Sequence, residues 1–181
     1  VAIIAYDLSA AFDTIAIGPF TQKLEAAGLV GTPLKWMKSY MSDRSQSVIW
    51  NNSTSSSLNL THGVPQGSIL GPLLFLVMVA DLPGYVTHGA PNSVKANMMC
   101  YADDSTLYVS SKSTVSLLEE LERMSNRMLN YCRKVGLVIN GDKTQMLVSG
   151  VKNKHFSVKV GNSLIYPSKE LSGITYDTNF T

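Results

Sequence analysis

Two adjacent aspartates, Asp103 and Asp104, are the residues of this sequence that most clearly invite a chemical interpretation. Neighbouring carboxylates repel each other, and a cation held between them removes the repulsion. Hard cations such as Mg²⁺ prefer carboxylate oxygens and complete their coordination with water and substrate phosphates. The segments 98–100 and 107–109 are apolar and place the pair beside a core. An exposed acidic turn is the alternative that the pair alone would favour.

A third carboxylate, Asp7, follows the apolar segment 1–6. If this segment and the hairpin that carries Asp103 and Asp104 pair in one sheet, three carboxylates converge on a site for two metal ions. Such a site lowers the pKa of an attacking hydroxyl and stabilises a leaving phosphate oxygen, as polymerisation of nucleotides requires. The alternative is that Asp7 caps the turn after its strand.

Hydrophobic periodicity predicts the elements that position these residues. In the first half of the chain we expect a strand over 1–7, two helices, and short strands over 47–51 and 58–61 around a polar hairpin loop at 52–57. The helices are indicated by apolar side chains spaced three or four residues apart: Phe20, Leu24 and Ala27, then Leu34, Met37 and Met41. A turn over 63–71, rich in Gly and Pro, opens an apolar helix over 69–82 that Pro83 and Gly84 end.

In the second half, strands over 94–101 and 106–109 flank residues 102–105 as the arms of a hairpin. A long helix follows, capped by Ser113 or by Ser116 with Glu119, and Gly136 ends it. Its apolar stripe consists of Leu117, Leu121, Met124, Met128, Tyr131 and Val135. Further strands are expected at 146–149, 156–160 and 173–176. The alternation of helices and strands predicts an α+β fold.

Composition sets limits but names no partner. The 181 residues suit one domain with a sizeable core, and 45% hydrophobic with 15% charged residues is globular usage. A net charge of +2 is too small to indicate nucleic-acid binding. Two Cys without a Cys-x-x-Cys spacing and three His indicate neither a disulfide framework nor a zinc site. The longest apolar stretch, 69–80, is too short for a membrane span, so we expect no membrane association.

Several motifs carry a family resemblance. Tyr101-Ala102-Asp103-Asp104 resembles the Tyr-x-Asp-Asp signature of reverse transcriptases. The segments 7–14 (Asp-Leu-Ser-Ala-Ala-Phe-Asp-Thr) and 63–75 (Gly-Val-Pro-Gln-Gly-Ser-Ile-Leu-Gly-Pro-Leu-Leu-Phe) are similar to the first two catalytic motifs of non-LTR (LINE-type) retrotransposon enzymes. Segments 40–48 and 136–144 extend the resemblance. The motifs stand in the family's order and span nearly the whole chain.

The resemblance implies a polymerase palm. That fold is an antiparallel sheet with helices packed on one face and the Asp-Asp pair on a β-hairpin. Residues 1–181 would form a partial palm domain, with part of the connection near the fingers at about 18–62. Most of the fingers and the thumb would lie outside this piece, so we expect the isolated fragment to be inactive.

The implied function is RNA-templated DNA synthesis within a non-LTR retrotransposon polyprotein. A primer 3′-hydroxyl would attack a dNTP with two Mg²⁺ ions, or Mn²⁺ as a substitute, as cofactors. The implied partners are an RNA template, a DNA primer, the dNTP, and the fingers and thumb of the same polypeptide. The implied location is intracellular, nuclear and cytoplasmic, in a retrotransposon ribonucleoprotein.

The resemblance also assigns roles to residues. Asp7, Asp103 and Asp104 would be catalytic metal ligands, and Tyr101 would pack near the primer end. Lys143 is similar to a late lysine proposed to protonate pyrophosphate, with a solvated lysine as the alternative.

On the substrate side, Gln66 and Gly67 would contact the incoming nucleotide, since glycine lets backbone approach a ligand closely. Phe12 would exclude the ribose 2′-hydroxyl, with a core Phe as the alternative. Asp13 is expected to support the turn rather than the metals.

Two other readings of the whole chain stay open. One is a catalytically inactive or decayed retroelement fragment that retains the palm fold, although the intact Asp triad argues against it. The other is a group II intron maturase, which also has a Tyr-Ala-Asp-Asp centre, although residues 67–74 look more like the non-LTR pattern.

Overall fold

The computed structural model describes residues 1–151, 156–171 and 174–175. It divides into two compact units: unit 1 comprises Val1–Ser9 and Ala80–Thr181, and unit 2 comprises Ala10–Val79. The chain runs through β1 (Ala2–Ser9), α1 (Ile17–Ala26), α2 (Gly31–Met41), β2 (Arg44–Gln46), β3 (Ile49–Trp50), β4 (Ser53–Thr54), β5 (Leu58–Leu60), α3 (Gly71–Val79), α4 (Leu82–Thr87), β6 (Val94–Tyr101), β7 (Asp104–Ser111), α5 (Thr114–Val135), β8 (Val138–Val148), β9 (Val158–Val160), β10 (Ser163–Ile165), β11 (Pro167–Ser168), β12 (Glu170–Leu171) and β13 (Ile174–Thr175). The predicted α+β class is confirmed. The prediction of one domain over 1–181 stays a prediction.

Unit 1 is built on a five-stranded sheet with the order β11-β8-β1-β7-β6. Strands β8, β1, β7 and β6 pair antiparallel, as expected. The expectation of a wholly antiparallel sheet is wrong at the edge, because β11 runs parallel to β8 with Pro167 opposite Met146. Between β8 and β11 the chain passes through the antiparallel β9–β10 hairpin. The sheet is therefore mixed.

One face of this sheet is buried and the other is not. Ala2, Ile4, Tyr6 and Leu8 of β1 are buried, whereas the residues between them are only half-buried. Helix α5 packs on the buried face, where the Tyr6 hydroxyl and Ser125 Oγ lie 2.8 Å apart. We call the opposite side of β1, β6 and β7 the outer face. Alternation along the strands assigns Asp7 and Asp104 to it.

Helix α5 covers the buried face with apolar side chains. All six residues of its predicted stripe are buried. Of the two predicted N-caps Ser113 is the one formed, because its Oγ accepts a hydrogen bond from the Ser116 N–H at 3.3 Å. Gly136 ends the helix in a left-handed conformation with φ 85°, as predicted. Burial of these six large side chains contributes roughly 1.5 to 3 kcal/mol each to the stability of unit 1.

Polar contacts fix α4 against α5. The Tyr131 hydroxyl donates to Asp81 Oδ1 at 2.6 Å, and the Arg127 guanidinium lies over the Tyr85 ring at 4.6 Å from its centroid. Arg127 Nε also donates to the Tyr85 carbonyl at 2.7 Å. Burial, together with the Asp81 carboxylate, raises the pKa of Tyr131 well above its ordinary value. Tyr131 is therefore a neutral hydrogen-bond donor.

The predicted helix over 69–82 is wrong in its extent. Helix α3 covers only Gly71–Val79, and α4 begins anew at Leu82. Pro83 and Gly84 lie within the first turn of α4 instead of ending a helix, because proline is tolerated where no backbone N–H is needed. Within the described ranges, no helix is long and apolar enough to cross a membrane.

Strand pairing in the first half also differs from the expectation. Residues 44–46 pair with 58–60. A separate tight hairpin pairs β3, which lies within the predicted strand over 47–51, with β4, which lies in the predicted loop over 52–57. Asn51 and Asn52 make this possible, since both adopt positive φ (45° and 61°) as a two-residue type I′ turn requires. The predicted strand at 156–160 is confirmed only over Val158–Val160, which form β9. The predicted strand at 173–176 contains β13, and its Gly173 and Tyr176 lie outside the described residues.

Candidate functional site

The Asp103–Asp104 pair occupies the end of the β6–β7 hairpin in unit 1. Tyr101 pairs with Asp104, so the loop consists of Ala102 and Asp103 alone, two residues shorter than predicted. The loop contains no glycine, so Ala102 takes the left-handed conformation, with φ 51°, that glycine adopts most easily. Asp103 therefore lies at the tip, Asp104 is the first residue of β7, and both side chains are exposed.

Asp7 lies on the strand next to β7. The β1–β7 ladder pairs Tyr6 with Ser105, both buried. The next position of this antiparallel ladder, one residue after Tyr6 and one before Ser105, brings Asp7 level with Asp104 on the outer face. Side chains at directly opposed positions have Cβ atoms about 4.5 to 5.5 Å apart. The expected approach of Asp7 to the hairpin carboxylates thus has a basis in the strand register.

On its other side, Asp7 meets a distorted part of β8. Asn140 is opposite Asp7 and Gln145 is opposite Ala5, so residues 141–144 are inserted against Tyr6 alone. The Asn140 side-chain oxygen accepts hydrogen bonds from the backbone N–H groups of residues 142 and 143, at 3.2 and 3.3 Å. Lys143 is exposed on this inserted segment. Its predicted role in protonating pyrophosphate stays a prediction.

Buried Thr144 connects the inserted segment to Asp7. Its hydroxyl donates to the Asn140 carbonyl at 2.7 Å and accepts from the Asp7 N–H at 3.4 Å. The backbone of Asp7 is therefore held from the β8 side. Sequence reasoning missed Thr144, because a threonine beside a loop gives no signal of a contact 137 residues away.

The donor set of Asp7, Asp103 and Asp104 suits a hard cation, because all of its oxygens belong to carboxylates. Over residues 1–151, 156–171 and 174–175, no three Asp, Glu, His or Cys side chains are gathered closely enough to hold a metal ion. Mg²⁺ usually takes only one or two protein carboxylates and completes its shell with water and substrate phosphates. The residues fit a Mg²⁺ site that substrate completes, rather than an all-protein cage.

In unit 2, Gln66 and Gly67 lie on the turn before α3. Gln66 Nε2 donates to Asp13 Oδ1 at 2.8 Å, so Asp13 does support this turn, as expected. Gly67 has φ 78°, and a Cβ at this position would meet no atom within 4 Å. Glycine is favoured at this position by the left-handed backbone conformation. The space beside its Cα is open.

Phe12 is half-buried, and its ring packs against Phe75 of α3 at a centroid distance of 4.8 Å. The contact explains part of its burial as packing within unit 2. The exposed part leaves surface for a ligand. Its predicted role in sugar discrimination stays a prediction.

A cleft of about 810 Å³ lies next to the turn that carries Gln66. Its lining includes Arg44, Asp13, His62 and Gln66. The Arg44 guanidinium donates to the carbonyls of Met41, His62 and Gly63, at 3.1, 3.2 and 2.5 Å. Sequence reasoning gave Arg44 no role, because its acceptors are backbone carbonyls that no residue type marks.

The two cysteines offer no thiolate. Burial raises the pKa of Cys132 to about 12 and also raises that of Cys100. Both thiols are protonated at neutral pH, and metal binding or nucleophilic attack needs the thiolate.

Comparison with known proteins gives one family match. The model of the reverse transcriptase (RNA-dependent DNA polymerase) family matches residues 1–167. A probable RNA-directed DNA polymerase from transposon BS of Drosophila melanogaster is 34% identical over 141 residues, which are 78% of this chain and 15% of that protein. The RNA-directed DNA polymerase from mobile element jockey of the same species is 28% identical over 107 residues, 59% of this chain and 12% of that protein. The chain thus spans less than a sixth of these relatives.

Solved structures resemble the chain in fold. Telomerase from Candida albicans, in complex with the TWJ fragment of telomeric RNA, matches 98% of this chain and 32% of its own with a TM-score of 0.60 and 16% identity. Telomerase from Candida tropicalis matches 94% of this chain and 30% of its own with a TM-score of 0.62 and 11% identity. At these identities the likeness concerns the fold alone.

Proposed function

We propose, from the premise that this chain belongs to the reverse transcriptase (RNA-dependent DNA polymerase) family, that it carries the metal-binding part of an active site for RNA-templated DNA synthesis. The domain is of the non-LTR retrotransposon type. In the proposal, unit 1 is the polymerase palm and the β6–β7 hairpin is its catalytic hairpin. Residues at about 18–62 belong to the connection toward the fingers.

The observation that carries the proposal is the strand register that brings Asp7 level with Asp104 on the outer face, with Asp103 at the hairpin tip. Asp7, Asp103 and Asp104 would hold two Mg²⁺ ions, with Mn²⁺ as a substitute. When bound, the ions lower the pKa of the primer 3′-hydroxyl and stabilise the leaving pyrophosphate oxygen. The protein supplies carboxylates at fixed positions, and catalysis is positioning together with charge neutralisation.

Other residues take supporting roles in the proposal. Gln66 and Gly67 contact the incoming dNTP, with Gln66 oriented by its hydrogen bond to Asp13. Phe12, backed by Phe75, excludes the ribose 2′-hydroxyl, the group that separates ribonucleotides from deoxyribonucleotides. Tyr101, 84% exposed beside Asp104, packs near the primer end. Lys143 protonates the departing pyrophosphate.

The proposed partners are an RNA template, a DNA primer and a dNTP. Fingers and thumb of the same polypeptide complete the enzyme, so the isolated chain is expected not to turn over. The proposed location is the nucleus and cytoplasm, within a retrotransposon ribonucleoprotein.

Asp103→Asn in the complete polypeptide tests the proposal. The amide keeps the shape of the side chain but removes the charge that binds a cation. Loss of several kcal/mol of transition-state stabilisation should lower the rate of Mg²⁺-dependent extension of a DNA primer on an RNA template by at least about 100-fold. Extension is measured by gel, and thermal unfolding checks that the fold is kept.

Glu122→Gln is the matched control, because it removes the same charge from an exposed position of α5. It should leave extension unchanged. Undiminished extension by Asp103→Asn would contradict the site assignment. No extension by the unsubstituted polypeptide would favour the inactive retroelement fragment instead.

A further inference from the structure

Arg44 of β2 links two separate segments of unit 2 through backbone carbonyls. Its Nε donates to the Met41 carbonyl at 3.1 Å, and its Nη2 donates to those of His62 and Gly63 at 3.2 and 2.5 Å. Met41 is the last residue of α2, whereas His62 and Gly63 follow β5. A guanidinium is planar and holds its donors in a fixed fork, so the three acceptors are kept at set distances from one another.

The bond to Gly63 connects Arg44 to a residue on the substrate side of the proposed site. The Gly63 carbonyl and the Val64 N–H belong to one peptide group. The carbonyl accepts from Arg44, and the N–H donates to the Phe12 carbonyl at 2.7 Å. A peptide group is planar, so bonds to both of its polar atoms fix its orientation. Arg44 and the backbone of Phe12 therefore hold this peptide between them.

The same peptide leads into the turn that carries Gln66, which lies two residues after Val64. The Gln66 side chain donates to Asp13 Oδ1 at 2.8 Å, and Asp13 follows Phe12 directly in the chain. Phe12 and Gln66 are thus joined by two routes. One route is the side-chain bond to Asp13, and the other is the peptide that Arg44 holds.

The charge and the shape of Arg44 both suit it to this task. Arg44 is half-buried, and among the described residues it forms no ion pair, so its charge is directed at the three carbonyls. Hydrogen bonds from a charged donor are shorter and stronger than those between neutral groups. A lysine would present one compact ammonium on a flexible stem and would not keep the same fork.

We propose that Arg44 is a positioning residue that sets the preference of the enzyme for dNTP over rNTP. By fixing the Gly63–Val64 peptide, it holds Phe12, which excludes the ribose 2′-hydroxyl, in place relative to Gln66, which contacts the nucleotide. Arg44 acts through these residues and needs no contact with substrate. The inference rests on the proposed function, because that function gives Phe12 and Gln66 their roles.

Extension of a DNA primer by one nucleotide on an RNA template tests the role of Arg44 in the complete polypeptide. The measured quantity is the selectivity ratio, kcat/KM for a dNTP divided by kcat/KM for the matching rNTP. Arg44→Lys keeps the charge without the fork and should lower this ratio about tenfold, because small displacements of positioning groups change rates strongly. Arg44→Gln, which loses the charge as well, should lower it further. Arg133→Lys, at an exposed position of α5, is the control and should leave it unchanged.

The selectivity ratio separates positioning from stability. A smaller fraction of folded enzyme lowers both kcat/KM values in proportion and leaves their ratio unchanged. Thermal unfolding identifies a variant that does not fold, and if Arg44→Gln is such a variant, Arg44→Lys decides alone. An unchanged ratio in the folded Arg44 variants would overturn the inference, and so would an equal fall in Arg133→Lys.

Phe12→Ala shows whether Arg44 acts through Phe12. Phe12→Ala alone should lower the selectivity ratio, and adding Arg44→Lys should lower it no further, because both changes remove the same discrimination. A further fall of the size that Arg44→Lys causes alone would overturn the inference. An unchanged ratio in Phe12→Ala would contradict the role of Phe12 in the proposed function, and this inference with it. A lowered ratio in Phe12→Ala with an unchanged ratio in the Arg44 variants would overturn this inference alone.

Discussion

At the scale of single residues, the candidate centre depends on groups that hold Asp7 as much as on its carboxylate. The Thr144 hydroxyl bonds both the Asn140 carbonyl and the Asp7 N–H. Thr144 is 5% exposed, so water cannot replace it freely. A buried polar group that loses its partner costs about 1 to 3 kcal/mol. Thr144 is therefore a positioning residue for Asp7.

Thr144→Val should lower the free energy of unfolding by about 1 to 3 kcal/mol, because valine has the shape of threonine without its hydroxyl. It should also speed hydrogen exchange of the Asp7 amide, measured by NMR, because that N–H loses its acceptor. Thr144→Ser keeps the hydroxyl and should retain slow exchange. Equal exchange in the valine and serine variants would show that the hydroxyl does not hold Asp7.

Residue types alone indicated Asp7, Asp103 and Asp104, because carboxylates next to apolar strands are visible in a sequence. The roles of Thr144 and Arg44 were not predictable in the same way. Thr144 acts across 137 residues of sequence, and Arg44 binds backbone carbonyls. Both contacts exist only once the chain has folded.

At the scale of elements, close backbone approach fixes the turn that carries Gln66. Gly63 has φ 83°, and a Cβ there would lie 2.8 Å from the Asp13 carbonyl oxygen and 2.9 Å from Asp13 Cα. Gly63 N–H also donates to the Ile15 carbonyl at 2.8 Å. Glycine at this position lets the turn lie directly against residue 13, the same residue whose carboxylate orients Gln66.

Gly63→Ala should therefore destabilise unit 2 by more than the roughly 1 to 3 kcal/mol of a left-handed backbone alone, since the new methyl group overlaps fixed backbone. Gly28→Ala is the matched control: φ is 91°, and a Cβ there would meet nothing within 4 Å. Chemical denaturation of both variants measures the difference. Equal losses would mean that overlap with Asp13 contributes nothing.

The elements themselves were predictable where periodicity was long. The stripe of α5 and the strands β1, β6 and β7 were found, because many residues repeat one pattern. The break between α3 and α4 and the tight β3–β4 hairpin were missed. A uniformly apolar stretch has no periodicity that marks a break, and the left-handed conformations of Asn51 and Asn52 are a local choice that Asn-Asn does not dictate.

At the scale of the whole molecule, the chain covers only a small part of the relatives that it matches. It spans 15% of the polymerase from transposon BS and 12% of that from mobile element jockey. Its net charge is only +2, yet Lys95 and Lys112 line one cleft of unit 1. Composition could not reveal this arrangement, because a net charge sums over residues that the fold separates.

The central claim is that Asp7, Asp103 and Asp104 hold the metal ions of the proposed active site. The most direct measurement is the number of bound Mn²⁺ ions, obtained by subtracting the free Mn²⁺, measured by electron paramagnetic resonance, from the total. The sample is the complete polypeptide with an RNA template, a chain-terminated primer and the matching dNTP, so that no chemistry follows. We predict two ions bound per complex for the unsubstituted protein and fewer for Asp7→Asn and Asp103→Asn, with Glu122→Gln unchanged. Two ions bound with equal affinity in all four proteins would contradict the assignment of these carboxylates.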